Sequence, residues 1–321
     1  MKKTFKIFWV LTLSAAMTVC GGTAAAAENQ GLTEANDGVF VVNVHNFETG
    51  EDDQLFYQEA GADTYAVNSV ETTPSYCPPG AISAGAGAVR PPDAAIQALN
   101  NDWSSVNVNQ HPYAAVVHMN VWFDLNGDGE RQLSEWGFGT GYMVGPDVLL
   151  TAGHVIYNTN HNLGAGAIQA YLKYDPASST NPYTGVSMMY YGIVNCDYAY
   201  LITPTNIGAQ TGFFGIGKTN NLTNKAVTVS GYYEINEQYY QRKCSGTVTS
   251  QTTETTIKYN INTKDGQSGA PIFDSDNISW GIHTNGGNSL IHPCGSRFTS
   301  TLFDLISEKI YEGFDRYGYE Y

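Results

Sequence analysis

A serine set between glycines, Gly266-Gln267-Ser268-Gly269-Ala270-Pro271, stands directly before the apolar pair Ile272-Phe273. Small neighbours let the backbone turn sharply and expose the hydroxyl, and the Gly266 and Ser268 amides can converge on a carbonyl oxygen that is becoming an oxyanion. A serine hydroxyl alone is a weak nucleophile and needs a base held against it. His154 is the candidate base, because Leu149-Leu150-Thr151-Ala152-Gly153-His154 runs an apolar strand into a small-residue turn that ends on the imidazole. Asp197, just before the apolar run Tyr198-Ala199-Tyr200-Leu201-Ile202, is the candidate acid that fixes the imidazole tautomer and stabilises its protonated form. Each element is common alone, Gly-x-Ser-Gly above all in turns. Their occurrence together in the order His, Asp, Ser points to nucleophilic acyl transfer.

The elements that must hold these groups read as strands. Residues 113–123, 141–151, 198–202, 226–231, 245–249 and 256–261 are rich in β-branched and aromatic residues between turn signals. Helical periodicity is convincing only at the end, where Leu302, Leu305, Ile306, Ile310 and Phe314 recur at threes and fours behind a Thr299-Ser300 start signal. Many short strands closed by one C-terminal helix predict an all-β barrel or sandwich, and no internal repeat suggests a solenoid or propeller.

The 321 residues carry 15 Lys+Arg against 30 Asp+Glu, a formal net charge of −15, which offers no basic footprint for nucleic acid. Lys2, Lys3 and Lys6 precede an apolar run over residues 7–19 and small residues at 24–27, the pattern of a secretory signal peptide cleaved after Ala27. Val19 before Cys20 disfavours lipidation, and no later run is long enough for a span, so a secreted, extracellular protein free of the membrane is expected. Residues 28–89 hold ten acidic residues and no Lys or Arg, ending in a Pro/Gly/Ala-rich stretch. The expected organisation is therefore 1–27 signal peptide, 28–88 acidic pro-segment and linker, and 89–321 the domain that carries the site. Of the cysteines left after signal removal, Cys244 with Cys294 is the preferred pair and Cys77 with Cys196 the remainder; none has metal-ligand spacing.

Thr151-Ala152-Gly153-His154, Asp197-Tyr198-Ala199 and Asp265-Gly266-Gln267-Ser268-Gly269-Ala270-Pro271 resemble the three catalytic blocks of bacterial chymotrypsin-fold, trypsin-like serine proteases, and among them the glutamyl endopeptidases. The resemblance runs over about 113–314, taking in Val229-Ser230-Gly231-Tyr232, Gly281-Ile282-His283-Thr284-Asn285-Gly286 and the closing helix. It implies a chymotrypsin-like double six-stranded β-barrel with a C-terminal helix, His154 and Asp197 in the first barrel and Ser268 in the second. It implies protein or peptide substrates, cleavage after Glu with Asp left open, a precursor opened by an activating protease, and a monomer. In that family a histidine fifteen residues after the nucleophile and a threonine five before it hold the substrate carboxylate; here those offsets fall on His283 and Thr263. A hydroxyl with an imidazolium would supply charge-assisted hydrogen bonds to such a carboxylate. A trypsin-like pocket would instead place an acid at the position of Asn262.

The sequence departs from the family pattern at Lys264-Asp265, where small or uncharged residues are expected, and no cysteine pair brackets His154. Family members also use the mature N-terminal amine in recognition; counting back from Tyr113 puts that terminus near 89–93. No cofactor is expected for catalysis. Asp124, Asn126, Asp128, Glu130 and Glu135, with Gly129, fit the spacing of a calcium loop, here set between strands, so Ca2+ is expected as a structural ion. His111, His118, His161 and His292 read as structural or surface residues. Two other readings fit the sequence: a protease of the same fold with another primary preference, and a non-enzymatic calcium-loop binding protein.

Overall fold

The computed structural model describes residues 39–58, 70–79, 101–177, 186, 188–192, 197–287 and 293–321. The signal segment, most of the Gly/Ala-rich linker, the expected mature terminus at 89–93, Cys196 and His292 lie outside the described residues.

The acidic segment contributes β1 (Val39–Asn46), β2 (Glu51–Gln58) and β3 (Val70–Thr72), followed by the short β4 (Ser104–Ser105). Next come β5 (Val116–Trp122), β6 (Trp136–Met143), β7 (Val148–Thr151), a single turn α1 (Gly153–Ile156), β8 (Tyr157–Asn158), β9 (Leu163–Gly164), β10 (Ala167–Leu172), β11 (Met188–Gly192) and β12 (Tyr198–Ile202). After α2 (Gly208–Thr211) follow β13 (Gly215–Thr219), β14 (Ala226–Ile235), β15 (Gln238–Thr247), β16 (Thr256–Lys258), β17 (Pro271–Phe273), β18 (Ile278–Asn285) and β19 (Cys294–Arg297), and α3 (Ser300–Tyr317) closes the chain. The stretch 141–151, expected as one strand, is two: Gly145-Pro146-Asp147 turns the chain between β6 and β7, as Gly and Pro favour.

One sheet has the order β10-β5-β6-β7-β12-β11-β1-β2, and in the other the run β16-β19-β18-β17-β14-β15-β4 is joined by β13 and β3. Six strands of each, β5–β7 with β10–β12 and β14–β19, make the two expected barrels, the second closed by a Val248–Tyr259 bridge. Val117, Met119 and Val121 are wholly buried and alternate with His118 and Asn120 along β5, the period of two expected of a strand. The acidic segment adds to both sheets. β1 pairs with β11 through Asn43–Tyr191 to Asn46–Met188, and β3 pairs with β13. Backbone pairing of this kind is indifferent to the charge of outward side chains, so acidic composition did not forbid it. The 70–79 segment packs closely: Thr73 is buried, Tyr76 stacks on Phe213, and a Cβ at Gly215 would meet the Thr73 carbonyl oxygen at 2.3 Å.

In α3, Thr299 caps the first turn by accepting from the Leu302 amide at 3.2 Å, and Gly318 ends the helix in the left-handed region at φ 72°. The apolar stripe at Leu302, Leu305, Ile306, Ile310 and Phe314 is buried as its period predicts. Arg316 pairs with the buried Asp147 in the β6–β7 turn, and Lys218 of β13 reaches Asp304 of α3 and Glu71 of the acidic segment. The expected Cys244–Cys294 disulfide is not formed. Cys244 lies on β15 and Cys294 on β19, strands that are not neighbours, so closeness in sequence did not become closeness in space.

Candidate active site

Register brings the candidate base and acid together. Thr151 of β7 lies opposite Ala199 of the antiparallel β12, so His154, three residues beyond one, and Asp197, two before the other, emerge at the same end of the sheet. The Asp197 carboxylate takes two hydrogen bonds from His154: Oδ1 accepts from the backbone amide at 2.9 Å and Oδ2 faces Nδ1 at 2.5 Å. A proton on Nδ1 is therefore held by the carboxylate, which leaves Nε2 as the free acceptor. The side chains are 38% and 22% exposed, an imidazole open to solvent on one side and an acid largely covered. Ser296 of β19 donates to the Asp197 carbonyl at 2.7 Å and ties this corner to the second sheet.

Ser268 sits in a tight turn between β16 and β17. Lys264 and Gln267 bond reciprocally, the Lys264 amide to Gln267 Oε1 at 2.7 Å and the Gln267 amide to the Lys264 carbonyl at 3.2 Å. Gly266 and Gly269 have φ of +94° and +90°, and a Cβ at Gly269 would meet the Thr140 carbonyl oxygen at 1.9 Å, so no other residue fits there. The Ser268 hydroxyl donates to the Thr284 carbonyl at 3.3 Å, and no bond joins it to His154. The Gly266 and Ser268 amides have no hydrogen-bond acceptor among the described residues. Lys264 and Asp265, which break the expected pattern, are exposed.

His283 of β18 is buried at 1% exposure, and burial pushes its imidazole down to about 4. At neutral pH the ring is therefore uncharged in the absence of substrate, and it is not a permanent buried cation. Its Nδ1 lies in hydrogen-bond contact with the Tyr259 hydroxyl and 3.2 Å from the Cys294 carbonyl oxygen. Thr263 Oγ1 is buried without a partner, close to Gly286 at the end of the same strand. Tyr259, Thr284 and Thr140 are groups around the site that sequence reasoning missed. Tyr259 lies in a run recognised as a strand, but its facing His283 depends on a pairing that residue spacing does not encode.

His111 and His118 are also buried, His118 among the rings of Tyr171, Tyr174, Tyr232 and Tyr239, and burial lowers both to about 4. With His283 they make three imidazoles that stay neutral in the fold while the unfolded chain protonates them near a pH of about 6.5. The unfolded state binds the extra protons between those values, so stability is retained above about 6.5 and falls as pH drops toward 4. The melting temperature is expected to decline across that window; a flat profile down to pH 4.5 would contradict it.

In the loop expected to hold calcium, Glu135 has both oxygens occupied, accepting from Trp122 Nε1 at 2.9 Å, Leu125 N at 3.2 Å and Gln132 N at 3.3 Å. Asp128 caps the Glu130 amide at 2.7 Å and bonds Asn126 and Gln132, and Asp124 Oδ2 accepts from the Gly129 amide at 3.1 Å. Asp124 Oδ1 is buried and unpartnered. Among the described residues no three His, Cys, Asp or Glu side chains gather into a group that could hold a metal ion.

Residues 139–282 match the model of the trypsin-like peptidase domain family. The chain is 31% identical over 220 residues to a glutamyl endopeptidase of Bacillus licheniformis, covering 63% of this chain and 64% of that protein. It is 26% identical over 208 residues to a protein of Bacillus subtilis named extracellular metalloprotease, covering 61% of this chain and 63% of that one. The alignments thus span less than two thirds of either relative. A solved structure of a Glu endopeptidase in complex with MPD superposes with a TM-score of 0.55 at 23% identity, over 66% of this chain and 98% of that one, and shows the shared fold.

Proposed function

We propose that the chain is a secreted serine endopeptidase, made as a precursor, that hydrolyses peptide bonds after Glu, with Asp left open as a second residue. The observation that carries the reading is the two-point hold of Asp197 on His154, at 2.9 and 2.5 Å, beside a serine in a turn with two positive-φ glycines. In this reading the Ser268 hydroxyl rotates from the Thr284 carbonyl to His154 Nε2, which takes its proton as Oγ attacks the substrate carbonyl. The imidazolium so formed is stabilised by Asp197, which stays ionised, and returns the proton to the leaving amine. The unbonded Gly266 and Ser268 amides are the donors for the oxyanion, available without breaking any protein hydrogen bond.

The preference for Glu rests on His283 and Thr263 and on the similarity to the glutamyl endopeptidase of Bacillus licheniformis. A substrate carboxylate would give the unpartnered Thr263 hydroxyl an acceptor, and its charge would raise the His283 imidazole toward protonation. The test is a set of peptides differing only in the residue before the scissile bond, Glu, Asp, Gln, Phe, Lys and Ala, offered to the processed protein. Cleavage confined to other residues removes the pocket assignment, and no cleavage by a processed form removes the enzymatic one.

The acidic segment is proposed as the pro-segment, with its removal as the activating step. Calcium is proposed only as a structural ion in the 124–135 loop. The unpartnered Asp124 Oδ1 favours a cation and the engaged Glu135 does not. Melting in calcium is expected to exceed melting in chelator by roughly several degrees. Identical melts would assign the loop's order to its own hydrogen bonds.

A further inference from the structure

Thr140 is wholly buried on β6, where the first sheet passes beneath the nucleophile turn. Its amide donates to the Ser268 carbonyl at 2.8 Å, and its hydroxyl donates to the Gly266 carbonyl at 2.8 Å while accepting from the Tyr232 amide of β14 at 2.9 Å. Its own carbonyl accepts from Thr151 Oγ1 at 2.7 Å, so the residue that grips the turn is itself held from β7. A single side chain thus connects three segments far apart in sequence.

We propose that Thr140 is a positioning residue for the oxyanion-binding amides. The inference rests on the role given above to Ser268 and Gly266. Gly266, at φ +94°, is the point in the turn with the widest backbone freedom. Without a partner its carbonyl could swing, and the peptide units on either side of Gly266 would turn with it, carrying the amide donor out of line. The Thr140 hydroxyl removes that freedom at Gly266, and the Thr140 amide does the same at Ser268. With both carbonyls directed onto β6, neither competes for the space where the substrate oxygen must sit. The Gly266 and Ser268 amides are left without protein acceptors, and the pocket for the oxyanion is formed before substrate arrives. Thr140 touches no reacting atom, so its effect should fall on the step that develops negative charge and not on ground-state binding.

The experiment compares Thr140→Val, which keeps the shape and removes the hydroxyl, with Thr140→Ser, which keeps the hydroxyl. Active sites are counted by titration with a serine-directed phosphonate, so that kcat is expressed per competent site. Thr140→Val is expected to lower kcat per site by about 10- to 100-fold with KM within about threefold, less than the loss of a whole oxyanion donor. Affinity for a peptide aldehyde, which forms a tetrahedral adduct, is expected to fall by the same factor as kcat. Affinity for the cleaved product peptide is expected to stay level, and Thr140→Ser to recover most of the rate. A purely structural Thr140 would lower the melting temperature or the number of titratable sites and leave kcat per site at the wild-type value, which would overturn the proposal. Should Thr140→Val not fold, Thr140→Ala against Thr140→Ser gives the same comparison. Ser268→Ala separates the two ideas: if it stays active, the reading of the site fails, whereas an inactive Ser268→Ala beside an unaffected Thr140→Val rejects only the positioning role.

Discussion

Ser268→Ala is expected to lower kcat on a Glu-containing peptide by about five orders of magnitude while the protein melts within a few degrees of wild type. The size follows from the nucleophile's place in a unit: without Oγ there is no acyl intermediate, and what remains is the modest acceleration, about 10³-fold over water, that oxyanion donors and substrate binding supply by themselves. The small effect on stability follows from what the hydroxyl does in the folded protein. Its one bond is the donation to the Thr284 carbonyl at 3.3 Å, at the long end of the useful range, and a neutral bond of that kind contributes about 1 kcal/mol at most. The turn around Ser268 is held instead by Gly266, Gln267 and Gly269, none of which the substitution touches. Retention of more than about one per cent of wild-type kcat would reject Ser268 as nucleophile. If the variant also melted much lower, mass analysis of wild-type protein labelled by the phosphonate would decide the matter, since the adduct must sit on Ser268.

Residues whose chemistry is local were legible in the sequence. Gly266-Gln267-Ser268-Gly269 carries its own turn geometry, and Leu149-Leu150 with Thr151-Ala152-Gly153 carries both the strand and the break that present His154. The period of Leu302 to Phe314 is a property of one segment, so α3 was readable with its cap at Thr299. What depends on which strand lies beside which was not. Thr140, Tyr259 and Thr284 acquire their places only through the pairing of strands, and nothing in the spacing of Thr140 from Ser268 announces two hydrogen bonds between them. The Cys244–Cys294 expectation failed for the same reason. The strands of the acidic segment were not legible either, because β1 and β3 engage their partners through backbone groups that carry no compositional signature. The pocket lies between these cases: His283 and Thr263 came from resemblance, and the neutrality of His283 follows from a burial that only the folded chain displays.

Thr263→Val is expected to lower the ratio of kcat/KM for Glu over Gln peptides by about tenfold without loss of stability, and His283→Gln to lower it by about 100-fold. In the absence of substrate Thr263 Oγ1 is buried with no partner, so valine breaks no bond and relieves a buried polar atom of its unmet demand. That residue's cost should therefore appear only when a carboxylate enters. His283 differs, because its Nδ1 already meets the Tyr259 hydroxyl and the Cys294 carbonyl, and an alanine there would strand both in a cavity. Glutamine keeps a polar end in the slot, so it isolates the property glutamine lacks, the capacity to become a cation. A charge-assisted hydrogen bond to a carboxylate is worth about 1.5–3 kcal/mol, close to 10- to 150-fold in kcat/KM, and Gln as the substrate residue offers no charge to reward it. Because the free imidazole stays neutral down to about 4, protonation must accompany carboxylate binding. The Glu preference of the wild type should then decline as pH rises, and the His283→Gln preference should not move with pH. Equal losses on Glu, Gln and Ala peptides would make His283 a structural residue of β18 and reject its role in specificity.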